Sequence, residues 1–455
     1  MADGKVESLP SRDAHLRRVL TRSDLVIYGL TILTPTAAFP VFGIVQQVSG
    51  GQAALAYIAA MVAMLFTAFS YGRMAAAFPA AGSTYTYAQR ALEPHIGFLA
   101  GWSMILDYVL VPLLSAVYVS LTAARLLPQV PYAVWAFLFA VVITAVNARG
   151  IRVTAVASQI MTGIMVIATV LFLGFAIRYV VGASGSAAAL WAPAVVFDPQ
   201  AFAIRPLMLG AGIATLSYLG FDAVSTLAED TRHPETDIGF ATVTVCILQA
   251  IFCFLIVYAA TLVWPAARPF GNVETAILDV AYLSGGNLLF SVTTFVLLVA
   301  GVASSLTSQA GASRLLYGMG RDGLLPHWLF GYIHPKYSTP TRSIYLMGAI
   351  SFFGALVIGF QLVVELVNFG AFFGFILVNL SVIRHYYVRR RLRSGLNFWS
   401  NLVMPSLGAV VCACVWVNLS RNAMIAGFSW LALGVLYLAA LTRGFRRPVA
   451  QLELP

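Results

Sequence analysis

Charge is what this 455-residue sequence has least of. Only 10% of its residues are Asp, Glu, Lys or Arg, while 60% are hydrophobic. A soluble domain carries about 25% charged residues, so the composition excludes an ordinary cytosolic enzyme, and with it disorder and a collagen-like fibre. Cysteine is scarce too: Cys246, Cys253, Cys412 and Cys414 all lie in apolar runs. Cys412 and Cys414 are two residues apart and would point to nearly opposite faces of a helix, a poor metal pair and no sign of a disulfide framework. Five of the six histidines fall outside the apolar runs and the sixth, His385, lies at the very end of one, which argues against a buried histidine relay. No Walker sequence occurs, so ATP is not the driver, and no H-E-x-x-H or G-x-S-x-G supports an intramembrane hydrolase. Gly318 to Gly323 fits G-x-G-x-x-G, but it closes an apolar run instead of following a strand, so it is no dinucleotide fingerprint.

What the sequence has is long, continuous apolar runs. A membrane-spanning helix needs about 20 apolar residues. Twelve candidates lie at roughly 25–47, 52–77, 97–125, 131–148, 153–178, 205–227, 239–264, 285–318, 343–360, 362–387, 402–420 and 422–442. A barrel would show short alternating segments instead. The stretch 343–383 is too long for one helix and is divided near Gly359 and Gln361. The expected class is an all-α membrane protein of twelve transmembrane helices. The first run is too long for a signal-peptide core and no cleavage-like site follows it, so it reads as a retained span. With N- and C-termini cytoplasmic, 22 of the 27 Lys and Arg residues fall on the cytoplasmic side and five outside. That asymmetry is the positive-inside pattern; it accounts for the net charge of +10, and for the Arg389–Arg393 cluster, without nucleic acid.

Two spans carry helix-breaking chemistry. Pro35 sits in the middle of the first, between Thr34 and Thr36, with Pro40 beyond. Proline removes an amide donor, and the freed carbonyls need partners in protein or in a cavity. The sixth span weakens at Ser217-Tyr218-Leu219-Gly220, followed by Asp222. Thr34 and Ser217 are 183 residues apart, each in the first helix of a five-helix set. That placement points to a five-plus-five inverted repeat, with broken helices 1 and 6, a midplane site and two further C-terminal helices. The organisation expected is a cytoplasmic N-terminal tail 1–23, a first repeat 24–182, an extracellular loop 183–204 and a second repeat 205–388. A cytoplasmic basic loop 389–401, helices 11 and 12 at 402–443 and a tail 444–455 complete it.

Three acids fall inside the spans: Asp107, Asp222 and Glu365. An ionised group at the bilayer centre costs at least ~2.5–3.5 kcal/mol on insertion scales, so each should face a cavity or a partner. Asp222, just beyond the second break, could bind an ammonium group, take up a coupling proton, or do both. Asp107 lies beside Tyr108. Glu365 reads as interfacial or as a selector of incoming cations. Tyr218 and Phe221 offer aromatic faces to an ammonium, and Thr34, Thr36 and Ala37 offer backbone or hydroxyl contacts. The candidate substrate site is therefore Thr34, Thr36, Ala37, Tyr108, Ser217, Tyr218, Phe221 and Asp222, with Asp222 and Asp107 for proton coupling. No cofactor and no metal is expected. Ser304, Ser305, Thr307 and Ser308 could serve sodium in a mechanistic variant, although hydroxyls also pack helices. Gly97 with Gly101, and Gly370 with Gly374, are read as close packing within the bundle rather than a dimer face.

The chain resembles the amino acid–polyamine–organocation superfamily. The resemblance rests on Tyr71 to Leu92, Gly97 to Trp102, Ser217 to Asp230, Ala312 to Pro326, His334 to Pro340 and Val367 to Val382. Within the superfamily it looks most like bacterial putrescine importers. The resemblance implies the twelve-helix fold and proton-coupled uptake, and it places Asp222 on the acidic position of the sixth-helix motif. One position departs from it: Phe39 is followed by Pro40, where those importers carry an aspartate. The first break also lacks the glycines with which amino acid carriers of the superfamily hold a carboxylate. The two departures leave both substrates open. The expected function is secondary active import of a small amine such as putrescine, with protons, by alternating access in the inner membrane. An amino acid permease or exchanger is the alternative on the same fold, and a channel or substrate sensor the alternative of a different class.

Overall fold

In the computed structural model the described residues are 20–79, 83–149, 151–265, 268–321, 324–334, 337 and 339–444. Most of both expected tails, Lys336 and the end of the glycine motif at Gly323 lie outside them. Among the described residues the fold is helical throughout, with no strand beyond an isolated bridge between Leu20 and Thr231. Ten helices of the described residues are long and apolar enough to cross a membrane. Two of the twelve expected runs are not among these ten. The first is divided into α1 (Arg22–Leu33) and α2 (Phe42–Val48), and the ninth forms a 17-residue helix, α11 (Thr341–Val357).

The others follow the apolar runs closely: α3 (Ala53–Ala77), a short amphipathic α4 (Ser83–Ala91), α5 (Pro94–Leu126), α6 (Tyr132–Arg149) and α7 (Ile151–Ser184). The sixth run begins as α8 (Ile204–Ala214). Then come α9 (Pro234–Val263), α10 (Ala276–Arg321), α12 (Phe360–Val382), α13 (Met404–Val417) and α14 (Arg421–Leu441). Prolines at the starts of α5 and α9 occupy the first turn, where a missing amide is harmless. The 41-residue apolar stretch divides at Ile358 and Gly359, both extended, so α11 ends and α12 begins where a glycine interrupts the run. Within α10 the backbone is non-helical at Gly286, whose φ of +61° suits a residue without Cβ, so a separate helical segment from Ala276 precedes the eighth run, which begins beside its expected start at 285.

Helix α5 is the centre of the bundle, packed against α4, α6, α10, α11, α12 and α14, while α3 lies along α9. The expected close packing at glycine is seen at Gly370, where an added Cβ would come within 2.6 Å of the Ser103 carbonyl oxygen on α5. Helix α14 is locked to α5 by a reciprocal pair: Trp102 Nε1 donates to the Trp430 carbonyl at 2.9 Å, and Trp430 Nε1 to that of Trp102 at 3.0 Å. The two indoles stack at 4.8 Å.

Candidate functional site

Two interruptions of helical backbone meet inside the bundle. The first runs from Thr34 to Val41 between α1 and α2. Thr34 has φ +56° and ψ +114°, and Pro35 lacks the amide that would continue the ladder. The second follows α8: tight 3-10 turns at Thr215–Tyr218 and Phe221–Asp230 are separated by Leu219 and Gly220, the latter at φ +115°. Freed carbonyls in such segments must find donors, since lipid supplies none.

The donor is a residue that sorting the acids passes over. Gln249, fully buried on α9, directs Nε2 to the Thr34 carbonyl at 3.0 Å, the Ser217 carbonyl at 2.9 Å and the Leu33 carbonyl at 3.4 Å. One amide thus ties the two interruptions together. Its signal in the sequence was a lone amide in the middle of an apolar run. Ser217 adds a second tie: its hydroxyl donates to the Ala37 carbonyl at 3.2 Å and shares a 3.0 Å hydrogen bond with Tyr57 of α3.

Beside this junction stands an acidic group. Asp222 is 2% exposed and Asp107, on α5, is 6% exposed. The two carboxylates are near enough to interact electrostatically, and Tyr71 on α3 feels both. Tyr108 donates its phenol to Asp222 Oδ2 at 3.4 Å. Ser225 Oγ lies 2.6 Å from the Asp222 carbonyl and 2.9 Å from Ser83 Oγ at the start of α4. Asp107 Oδ1 and the Thr36 hydroxyl are buried without a hydrogen-bond partner among the described residues. Neither carboxylate belongs to an ion pair of the described residues. Phe221 forms part of an aromatic wall, 5.6 Å from Tyr71 and 5.2 Å from Phe375.

The expected residues therefore fall into two adjoining groups. Thr34, Ala37 and Ser217 meet at the junction of the breaks, and Tyr108, Phe221, Asp222 and Asp107 surround the acidic centre. Tyr218 turns to α3 instead, where its phenol donates to the Tyr57 carbonyl at 3.3 Å. Tyr57, Tyr71, Gln249 and Phe375 join the site and were not among the residues expected. Glu365 is no free selector of cations: its oxygens accept from Gln361 Nε2 at 3.1 Å and from the Ser420 amide at 3.0 Å, capping the start of α14. In α10, Thr307 and Ser308 donate their hydroxyls back to the carbonyls of Ala303 and Ser304, as helix-packing hydroxyls do.

A bundle of apolar helices, two of them broken beside buried carboxylates, defines a membrane transport protein. The chain belongs to the amino acid permease family, whose model matches residues 26–441. It is 35% identical over 449 residues to the low-affinity putrescine importer PlaP of Escherichia coli strain K12, a match covering 96% of each chain. It is 26% identical to the branched-chain amino acid permease BcaP of Bacillus subtilis, over 94% of this chain and 93% of that one. It is 25% identical to a methylthioribose transporter of the same bacterium, over 94% of each. The protein is thus a multi-pass membrane transporter of the class that carries amines or amino acids, and not an enzyme.

Proposed function

We propose that this transporter imports a small amine, putrescine or a related polyamine, together with protons. The observation that carries the reading is the buried pair of carboxylates, Asp222 and Asp107, with no cation of the described chain to neutralise them. Burying carboxylates alone is costly, and a bound ammonium or a proton relieves it. Asp222 is the anchor, Tyr108 orients it, and the ring of Phe221 supports an ammonium through its face. Thr36 and Ala37 contribute oxygens from the first break. Asp107 and Asp222 share the coupling proton.

Alternating access follows from the same parts. The chain reads as twelve spans with two five-helix halves of inverted topology, their first helices interrupted at Thr34 and Gly220. Rocking of one half against the other about that point exposes the site to each side in turn. The positive-inside pattern supports cytoplasmic termini.

An amino acid substrate is the second reading, and Pro40 favours it, since it stands where the resemblance to putrescine importers implies an aspartate. Against it, the amides of Ala37 and Phe39 already donate to the Thr34 and Thr36 carbonyls at 2.9 Å. Those are amides that a substrate carboxylate would use. The deciding experiment is uptake into proteoliposomes under an imposed proton gradient, with labelled putrescine and basic, neutral and acidic amino acids. Putrescine uptake abolished by a protonophore is expected. Uptake of an amino acid alone would overturn the amine assignment, and non-saturating flux would show a channel.

A further inference from the structure

Away from the carboxylates, α6 and α11 enclose a cleft of about 460 Å³, within the usual size of small-molecule sites. The two helices run side by side in opposite directions: Tyr132 donates to the Ala355 carbonyl at 2.9 Å near one end, and Thr339 to the Ala148 carbonyl at 3.0 Å near the other. Between these ties Gly348 lets α11 press on the Thr144 side chain, which forms the floor. The ends of the cleft differ. Arg149, Tyr337 and Tyr345 line the end near Thr339, and the rings of Phe137 and Phe352, 5.4 Å apart, line the other. Twelve residues of α6 separate Phe137 from Arg149, about 18 Å at 1.5 Å per residue.

We propose that this cleft binds an anionic phospholipid, its phosphate at Arg149 and an acyl chain along the groove toward Phe137. Three observations support that occupant. The outward face of α6 is apolar and uncovered, with Phe137 51% and Val142 53% exposed, so it meets hydrocarbon. Arg149 is exposed and belongs to no ion pair of the described residues, so its charge is unanswered at the end of an apolar groove. Its planar fork suits phosphate oxygens, and basic pockets between membrane helices take anionic headgroups. None of the lining residues belongs to the transport site, so the proposal stands independently of the substrate.

The test is lipid retention by the purified full chain, measured by native mass spectrometry from micelles doped with phosphatidylglycerol or phosphatidylcholine of the same chain length. Wild type should retain phosphatidylglycerol about fivefold better, one arginine's share near a membrane surface. Arg149→Gln should remove that preference and Arg149→Lys should keep it. Ala145→Trp, projecting from an exposed position into the cleft, should expel both lipids. Inorganic phosphate should not compete. Equal retention by wild type and Arg149→Gln would overturn the proposal, and so would displacement by phosphate, which would mark a free-anion site. Ala145→Trp that breaks a dimer while leaving lipid bound would overturn it in favour of a second copy of the chain.

Discussion

At the scale of single residues, the chemistry concentrates on side chains that are buried and unbalanced. Asp222→Asn removes the charge and keeps the shape, so saturable putrescine uptake should weaken by about 30-fold or more, since truncating one partner of a buried charge pair costs 2 kcal/mol and upward. Uptake at wild-type level by Asp222→Ala would remove Asp222 from the mechanism. Thr36 separates binding from folding. Its hydroxyl has no partner among the described residues, so Thr36→Val should leave the melting temperature nearly unchanged or raised. If the hydroxyl touches substrate, as proposed, the same variant should lower uptake, and unchanged uptake would exclude that contact. Asp107 and Asp222 were legible in the sequence because charge is conspicuous among apolar residues. Gln249 was not, because a neutral amide in an apolar run reads equally as packing until its partners are known.

At the scale of elements, the question is what holds two broken helices together. Gln249 serves carbonyls on both breaks, so Gln249→Leu leaves them bare at about 1–3 kcal/mol each. A thermal melt should show a clear drop in stability together with lost uptake; a melt like wild type would show that the breaks hold without it. Gly220, at φ +115°, sits where a side chain strains the backbone, and an added Cβ would also press on Ile32 of α1. Gly220→Ala should therefore destabilise by about 1–3 kcal/mol, read in the same melt. Pro35 announced the first break and the Ser217–Gly220 sequence the second. The eight unwound residues from Thr34 to Val41, and the tight turns that replace α-helix after Ala214, were not legible, because their extent depends on which donors the neighbouring helices supply.

At the scale of the whole molecule, two sets of contacts tie separate helices together near the ends of the bundle. On one side Arg22 of α1 pairs with Asp237 of α9 at 2.6 Å, and the Arg232 amide donates to the Leu20 carbonyl at 3.1 Å. On the other, Arg125 at the end of α5 binds Asp279 in the first turn of α10 and Thr275 just before it. Under the alternating access proposed above, opening toward either side breaks one of these sets. Arg22→Gln should therefore raise the labelling of a cysteine placed at Ala37, in a background without the native cysteines, by a polar reagent supplied from the Arg22 side. The effect should be within about fivefold, because a half-exposed ion pair is worth at most about 1 kcal/mol. Unaltered labelling would show that this pair takes no part in closure.

Composition by itself determined that the protein lives in a membrane, since apolar runs of that length and so little charge can be buried no other way. The same one-dimensional signals, prolines and glycines inside apolar runs and acids among them, marked where helices break and where charge is held. Only the tertiary structure decided which residues complete the site. The partners of Thr34 and Ser217 come from α9, the wall around Phe221 comes from α3 and α12, and Glu365 is spent on capping α14. A broken backbone is satisfied by whatever donor stands opposite it, and that neighbour is set by packing between helices far apart in the chain, which no local pattern records.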